Sequence, residues 1–316
     1  MTRTTFSRRA VLFAAALMTL PLLAGCPTAT RNDDEVKSTT TGGTTGTSTG
    51  ATTPPTNSGS VTITGSATLQ PLSERWAEEF KKVNPDANIS VKGGGSGQGI
   101  SALINQSTDI ANSSRAMKDE EKKQAEAKGL KVTEVAVAMD GITIIVNPKN
   151  PIKSLTVQQL ADIYTGKTKD WKEIGGTPGK IVAIGRDSSS GTYEFFKEDV
   201  LKKADYRSDM IASKANPAIG TNVAQSAGAI GYIGVAFANE YVKAGKVKEL
   251  PIAFKAGEEP VLPTVENVHS GKYPISRSLY NYVSGEPEGI TKAYLDFVTG
   301  EEGQKIVSDE GYITLK

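Results

Sequence analysis

Residues 185–192 read Gly185-Arg186-Asp187-Ser188-Ser189-Ser190-Gly191-Thr192, directly after the apolar run 181–184. Apolar side chains follow at roughly helical spacing, at Tyr193, Phe196, Val200 and Leu201. The pattern predicts a strand, a turn and a helix, in that order. The first turn of a helix offers unpaired N–H donors and the positive end of the peptide dipole, and Arg186 adds a charge whose fork geometry suits tetrahedral oxyanions. The turn is therefore a candidate anion-binding site, although such hydroxyls also serve as ordinary helix caps and an arginine in a turn is commonly solvated.

Three further stretches predict the same strand–turn–helix arrangement with small donors at the turn. The turns are residues 65–71, 93–99 and 112–115. The helix after the first turn would carry Leu72, Trp76, Phe80 and Val83 on one face; the next helices would carry Ile100, Leu103 and Ile104, and then the polar residues 118–128. In open α/β sheets, ligands bind beyond the carboxyl ends of the strands, so four such turns could converge on one small anion.

Composition narrows the class of protein. The chain has 316 residues, of which 38% are hydrophobic, with 36 basic and 35 acidic side chains. That length supports a large core or two lobes, and the near-zero net charge argues against a nucleic-acid partner.

Catalytic signals are sparse. His269, in a predicted loop, would have to carry any Ser-His-Asp triad, and His and Cys occur once each, too few for a zinc site. Residues 175–180 lack the spacing of a phosphate loop and are predicted to form a turn, and residues 97–102 match a dinucleotide fingerprint only loosely. We therefore predict binding without catalysis, with neither cofactor nor metal.

Residues 1–25 resemble an export signal. Arg8-Arg9 precede an apolar run that is too short to span a membrane and that ends in Leu23-Ala24-Gly25-Cys26. This tetrapeptide resembles the lipobox of bacterial lipoproteins, which implies that Cys26 becomes the lipidated first residue after cleavage. Residues 7–12 also resemble a twin-arginine motif, so the general secretory and twin-arginine routes both stay open.

Residues 26–60 are predicted to be a disordered tether. From residue 38 onward they are nearly all Thr, Ser and Gly, with Pro54-Pro55, and they contain no large apolar side chain. Such a tether would let a folded body that starts near Val61 range above a membrane surface.

From Val61 to the C-terminus, the chain resembles the phosphate-binding proteins of bacterial phosphate ABC transporters. Separated segments carry the resemblance in the same order, at residues 65–69, 95–97, 113–115, 140–146, 185–192, 228–233 and 273–277. The family implies an α/β fold of the type II periplasmic-binding-protein class, with two lobes that each hold a mixed sheet flanked by helices and with the ligand in the cleft. We expect residues 61–138 plus 252–316 to form lobe I and residues 139–251 to form lobe II. Chain crossings are expected near Met139-Asp140 and Leu250-Pro251.

The resemblance also implies the function. The protein would capture inorganic phosphate outside the cytoplasm and deliver it to the permease and ATPase subunits of an ABC transporter. It would be a monomer that a lipid on Cys26 anchors to the cell membrane, in the periplasm if an outer membrane is present.

Both lobes supply the phosphate ligands that the resemblance implies. From lobe I these are Thr68, the backbone N–H of Leu69, Ser96 and the turn that contains Ser114 and Arg115. From lobe II they are Arg186, Ser190, the backbone N–H of Gly191 and Thr192.

Ser114 departs from the pattern of some family members, which have an aspartate in this turn. That carboxylate accepts the proton of bound phosphate and repels unprotonated sulfate, whereas Ser114 can accept a hydrogen bond but carries no charge. Asp140 and Asp187 are possible substitute acceptors; alternatively, Asp140 satisfies backbone groups near a hinge and Asp187 pairs with an arginine. A binding protein for sulfate, molybdate or tungstate, a secreted phosphatase, and an adhesion or scaffold protein on the same fold therefore remain alternatives.

Overall fold

The computed structural model describes residues 59–315. The predicted signal peptide, Cys26 and nearly all of the predicted tether lie outside the described residues. Within the described range, nine strands form one mixed sheet, and a long strand shared by both halves of the sheet joins them.

Strands and helices alternate along most of the chain. The first elements are β1 (Gly59–Gly65), α1 (Gln70–Val83), β2 (Ala87–Gly93), α2 (Ser96–Ile104), β3 (Ile110–Ser113), α3 (Asp119–Ala127) and the long β4 (Val132–Val146). The middle elements are β5 (Leu155–Thr156), α4 (Val157–Thr165), β6 (Val182–Arg186), α5 (Gly191–Phe195), β7 (Ile211–Ser213), α6 (Asn216–Gln225), β8 (Ala229–Gly234), α7 (Val235–Lys243), β9 (Lys248–Leu250) and β10 (Ile252–Ala253). The last elements are α8 (Val265–His269), β11 (Ser276–Ser284), α9 (Gly289–Thr299) and α10 (Glu301–Asp309). A 3₁₀ turn spans Trp171–Ile174, and a π-helical turn, Phe196–Val200, continues α5.

The four predicted strand–turn–helix units are present as β1–α1, β2–α2, β3–α3 and β6–α5. Strand β1 begins at Gly59, two residues before the predicted start at Val61, because Gly59 and Ser60 already pair with β2. In α1 the predicted apolar face is buried except at Val83, which is 61% exposed because the helix ends there, beyond the core.

The sheet has the order β2-β1-β3-β11-β4-β8-β6-β7, with β9 also paired to β4. Strands β1, β2 and β3 are parallel, so their carboxyl ends lie at one edge, and β6, β7 and β8 are parallel to one another in the other half. Strand β4 pairs with β11 up to Gly141 and with β8 from Ile142 onward. The chain therefore crosses between the two halves within β4, next to Met139-Asp140.

Each half of the sheet carries apolar cores on its faces. In the first half, α1, α9 and α10 cover one face around Trp76 and Tyr294, and α2 and α3 cover the other around Leu103. In the second half, α4 and the π-helical turn cover one face around Tyr164, and α6 and α7 cover the other around Ile219. Burial on both faces explains the nearly continuous apolar runs in the strands.

The chain between β10 and β11 packs with the second half. Ile252, Val268, Tyr273 and Ile275 share a core with Ile142. The Ile142 N–H donates to Ile275 O at 2.8 Å, and the Tyr273 hydroxyl donates to Ile142 O at 2.7 Å. This packing argues against a second crossing near Leu250-Pro251. We propose instead that the chain returns to lobe I at Ser276, where β11 starts.

None of the helices within residues 59–315 combines the length and the apolar character that a membrane span requires.

Candidate functional site

The turns that follow β1, β2, β3 and β6 meet at the boundary between the lobes. Thr68 lies in the turn before α1, Ser96 is the first residue of α2, and Ser114 follows β3. From lobe II, Ser190 caps α5 and Thr192 lies in its first turn. All five side chains are buried.

Hydroxyl groups from the two lobes make direct contact. Thr68 Oγ1 of lobe I lies 3.3 Å from Thr192 Oγ1 of lobe II. Within lobe I, Ser96 Oγ lies 3.3 Å from Ser114 Oγ. The Ser114 N–H also donates to Ser96 Oγ at 3.0 Å, which fixes the turn after β3 against the start of α2. The Tyr312 hydroxyl donates to Thr68 O at 2.7 Å and so supports the turn before α1.

Gly191 lies directly against the lobe I hydroxyls. A Cβ at this position would stand 2.2 Å from Ser96 Oγ and 2.6 Å from Ser114 Oγ. No side chain fits there, so the backbone at the start of α5 can approach lobe I this closely only because residue 191 is a glycine.

Arg186 is buried at the end of β6. Its Nε donates to Ser213 O at 3.3 Å, its Nη1 to Asn216 Oδ1 at 2.8 Å and its Nη2 to Lys214 O at 2.8 Å. A guanidinium has five N–H donors, so two of them take no part in these three bonds. Burial lowers the pKa of Arg186 to about 10, which still leaves the group charged at neutral pH.

The Leu69 N–H and three of the five N–H donors of Arg115 are occupied within lobe I, whereas Arg115 Nε has no hydrogen-bond partner among the described residues. The Leu69 N–H donates to Ser66 O at 3.1 Å and closes the turn before α1. Arg115 makes a two-pronged ion pair with Glu121, at 2.8 and 2.7 Å, and its Nη1 also donates to Ala116 O. The structure therefore places both residues beside the hydroxyl groups but engages these donors elsewhere, and their roles as ligands stay predictions.

Asp187 bonds within its own turn, whereas Asp140 pairs with an arginine and also has a backbone partner in Val235. Asp187 Oδ1 accepts from the N–H and the hydroxyl of Ser189, at 2.9 and 2.6 Å, so it stabilises its own turn. Asp140 instead pairs with Arg277, whose Nη2 lies 2.8 Å from Asp140 Oδ2 and 2.8 Å from Thr192 Oγ1. Burial raises the pKa of Asp140, and the Arg277 guanidinium opposes that shift.

Sequence reasoning missed Arg277 as a member of the site. It appeared only inside a segment of family resemblance, and 137 residues separate it from Asp140. His269, by contrast, lies in none of these contacts: it ends α8, partly buried, with Nε2 2.9 Å from Thr314 O.

Two further contacts connect the lobes at the rim. Lys118 Nζ lies 2.5 Å from Glu194 Oε2, and Ser189 Oγ lies 3.3 Å from Gly94 O. Together with the buried hydroxyls, these contacts define the site as the surface on which lobe I and lobe II meet.

Several known proteins are similar to this chain in sequence and fold. A PBP superfamily domain matches residues 50–302. The phosphate-binding protein PstS of Bacillus subtilis is 39% identical over 257 residues, which cover 81% of this chain and 81% of that protein. A Clostridium perfringens structure with bound phosphate gives a TM-score of 0.72 at 34% identity and covers 82% of this chain and 100% of its own. An ABC-type phosphate transport receptor from Vibrio cholerae gives a TM-score of 0.67 at 27% identity, covering 80% of this chain and 99% of its own. The chain therefore belongs to the PBP superfamily and, within it, to the family of the PstS phosphate-binding proteins.

Proposed function

We propose that this protein captures inorganic phosphate between its two lobes and delivers it to the permease and ATPase subunits of an ABC transporter. The observation that carries the proposal is the meeting of hydroxyl and backbone donors from opposite lobes. Thr68, Ser96 and Ser114 come from lobe I, and Gly191 and Thr192 come from lobe II. Membership in the family supports phosphate as the ligand.

The chemistry of the site suits a small oxyanion. Near neutral pH, phosphate carries between one and two negative charges, and burying it is costly unless nearly every oxygen is hydrogen-bonded. Arg186 supplies one charge, and neutral hydroxyl and amide groups share the rest. Each hydrogen bond to a charged group contributes about 1.5–3 kcal/mol, so a few of them beyond the cost of association reach roughly micromolar affinity, about −8 kcal/mol.

Ligand binding and lobe closure are coupled in this proposal. The Thr68–Thr192 and Lys118–Glu194 contacts join different lobes, so they exist only when the lobes are together. A ligand that touches both lobes stabilises that closed form relative to an open one. The membrane subunits would then distinguish the loaded protein by its closed shape.

The location of the protein outside the cytoplasm is part of the same proposal. Leu23-Ala24-Gly25-Cys26 at the end of the apolar run supports lipid attachment at Cys26, and residues 26–58 would connect the anchor to the folded lobes. The protein would act as a monomer. Mass spectrometry of the mature protein is expected to find an acylated Cys26 at its N-terminus, and an unmodified precursor would contradict the anchor.

Calorimetric titration tests the main proposal. We expect the purified protein to bind phosphate with micromolar or tighter affinity and to bind sulfate and molybdate less tightly. If sulfate, molybdate or tungstate binds more tightly than phosphate, that anion is the ligand instead. If no anion raises the melting temperature, a scaffold role is favoured. Hydrolysis of a chromogenic phosphate ester would contradict binding without catalysis.

The same titration, applied to a variant at Ser114, tests how this residue affects the preference for phosphate over sulfate. We expect Ser114→Asp to raise the preference for phosphate over sulfate by about tenfold or more, because a carboxylate there accepts the ligand proton and repels a fully ionised anion. Ser114→Asn is the control because asparagine is similar in size to aspartate but uncharged. An unchanged preference in Ser114→Asp would show that residue 114 does not face the ligand.

A further inference from the structure

Arg277 and Asp140 face each other on β11 and β4, one position before the last pair of these strands, Ser276 and Gly141, where β4 enters lobe II. Asp140 is 0% exposed and Arg277 is 5% exposed. One nitrogen of Arg277, Nη2, donates both to Asp140 Oδ2 and to Thr192 Oγ1, each at 2.8 Å. A buried ion pair at the hinge therefore reaches a hydroxyl group of the proposed ligand site in lobe II.

This ion pair has fewer hydrogen bonds than a buried pair with a purely structural role would need. Among the described residues, Arg277 Nε and Nη1 are buried without a hydrogen-bond partner. Burying two charges is costly unless their remaining hydrogen bonds are made, and apolar replacements of such pairs are often neutral or stabilising. Stability alone therefore does not explain why these two residues lie beside the site.

The contact with Thr192 has a chemical consequence. A guanidinium can only donate, so Thr192 Oγ1 must accept from Arg277. The hydroxyl proton of Thr192 then remains for a different acceptor, and Thr68 Oγ1 lies 3.3 Å away. An anion held between Thr68 and Thr192 would meet a hydroxyl whose proton is not needed for the bond to Arg277.

We propose that Arg277, held in place by Asp140, is a positioning residue that makes Thr192 a dedicated hydrogen-bond donor to the bound oxyanion. This inference rests on the proposed phosphate-binding function. Since Asp140 offsets the charge of Arg277, the pair contributes orientation rather than net attraction. The cation–π contact of Arg277 with Phe195, 5.6 Å from the ring centroid, helps to hold the guanidinium against α5.

A double-mutant cycle with phosphate titration tests the proposal. One side of the cycle replaces the ion pair by neutral groups, in the double variant Asp140→Asn/Arg277→Gln. The other side removes the hydroxyl, in Thr192→Val. We expect the ion-pair variant to bind phosphate about tenfold or more weakly when Thr192 is present, and to add less than about twofold in the Thr192→Val background, because Arg277 acts through that hydroxyl.

Arg277→Lys separates positioning from charge. Lysine keeps the positive charge, but its side chain is shorter and lacks the planar guanidinium, so its ammonium group cannot take the position of Arg277 Nη2 between Asp140 and Thr192, and we expect this variant to bind phosphate about as weakly as the neutral pair. Wild-type affinity in Arg277→Lys, or additive losses in the cycle, would overturn the inference. If thermal unfolding shows that the neutral pair does not fold, the cycle of Arg277→Lys with Thr192→Val decides by the same criterion.

Titration of the wild-type protein distinguishes failure of the inference about Arg277 from failure of the proposed function. Wild-type protein that binds phosphate while the cycle is additive overturns only the role of Arg277. Wild-type protein that binds no phosphate overturns the proposed function, and the inference with it.

Discussion

Arg186→Met is expected to weaken phosphate binding by about a hundredfold or more. Two N–H donors of Arg186 take no part in its bonds to Ser213, Lys214 and Asn216, and in the proposed function they bind the ligand. Each charge-assisted bond contributes about 1.5–3 kcal/mol, so losing two costs about 3 kcal/mol at the low end, and every 1.4 kcal/mol is a factor of ten. Calorimetric titration with phosphate measures the change.

The choice of methionine follows from the structure. From the sequence, Arg186→Ala is expected to weaken phosphate binding at least tenfold and leave the fold intact. The structure instead shows a buried side chain that ties β6 to the segment before α6, so alanine would leave a cavity. The carbonyl groups of Ser213 and Lys214 lose this donor in either variant. Methionine keeps most of the volume and removes the charge.

A second buried arginine of lobe II supplies the control. Arg207 pairs with Asp209 at 2.6 Å and takes no part in the contacts between the lobes described above. Arg207→Met should lower the melting temperature and change the affinity for phosphate by less than about twofold. Equal losses of affinity in the Arg186 and Arg207 variants would mean that Arg186 acts only through stability.

The strand–turn–helix units could be predicted because their signals are local. Apolar residues at period 3.6 mark the buried faces of α1 and α2, and small residues mark the turns before them. Since parallel strands end at one edge of a sheet, the convergence of Thr68, Ser96 and Ser114 followed from the order of the elements. The meeting of lobe I with Thr192 required the family resemblance as well.

The features that could not be predicted are the pairings that charged side chains make in the folded protein. The pairing of Arg277 with Asp140 requires the antiparallel register of β11 and β4, which a bulge between Leu279 and Tyr280 shifts by one residue. The resemblance implies a ligand role for the turn that contains Arg115, yet Glu121 in the first turn of α3 forms an ion pair with this arginine. For both arginines, the group with which the arginine pairs decides whether it can bind a ligand, and the sequence shows only that the charged side chain is there.

Gly191→Ala is expected to lower the affinity for phosphate by about tenfold or more while leaving each lobe folded. Gly191 does not have a positive φ, so alanine is compatible with the start of α5. Its methyl group, however, would stand 2.2 Å from Ser96 Oγ, and Ser96 is held by the Ser114 N–H and cannot move freely. Overpacking of this kind costs about 1–3 kcal/mol, and here the cost falls only on the closed form, so it appears as lost affinity and not as lost stability.

Gly97→Ala is the matched control because it adds the same methyl group on the other side of the cleft. A Cβ at Gly97 meets only Arg115 Nη2, at an ordinary 3.9 Å. Phosphate titration and small-angle X-ray scattering, with and without phosphate, should show normal affinity and compaction for Gly97→Ala but weak affinity and little compaction for Gly191→Ala. If both variants bind phosphate equally well, the lobes do not need to approach each other at Gly191, and ligand capture does not depend on the closure inferred from the Thr68–Thr192 contact.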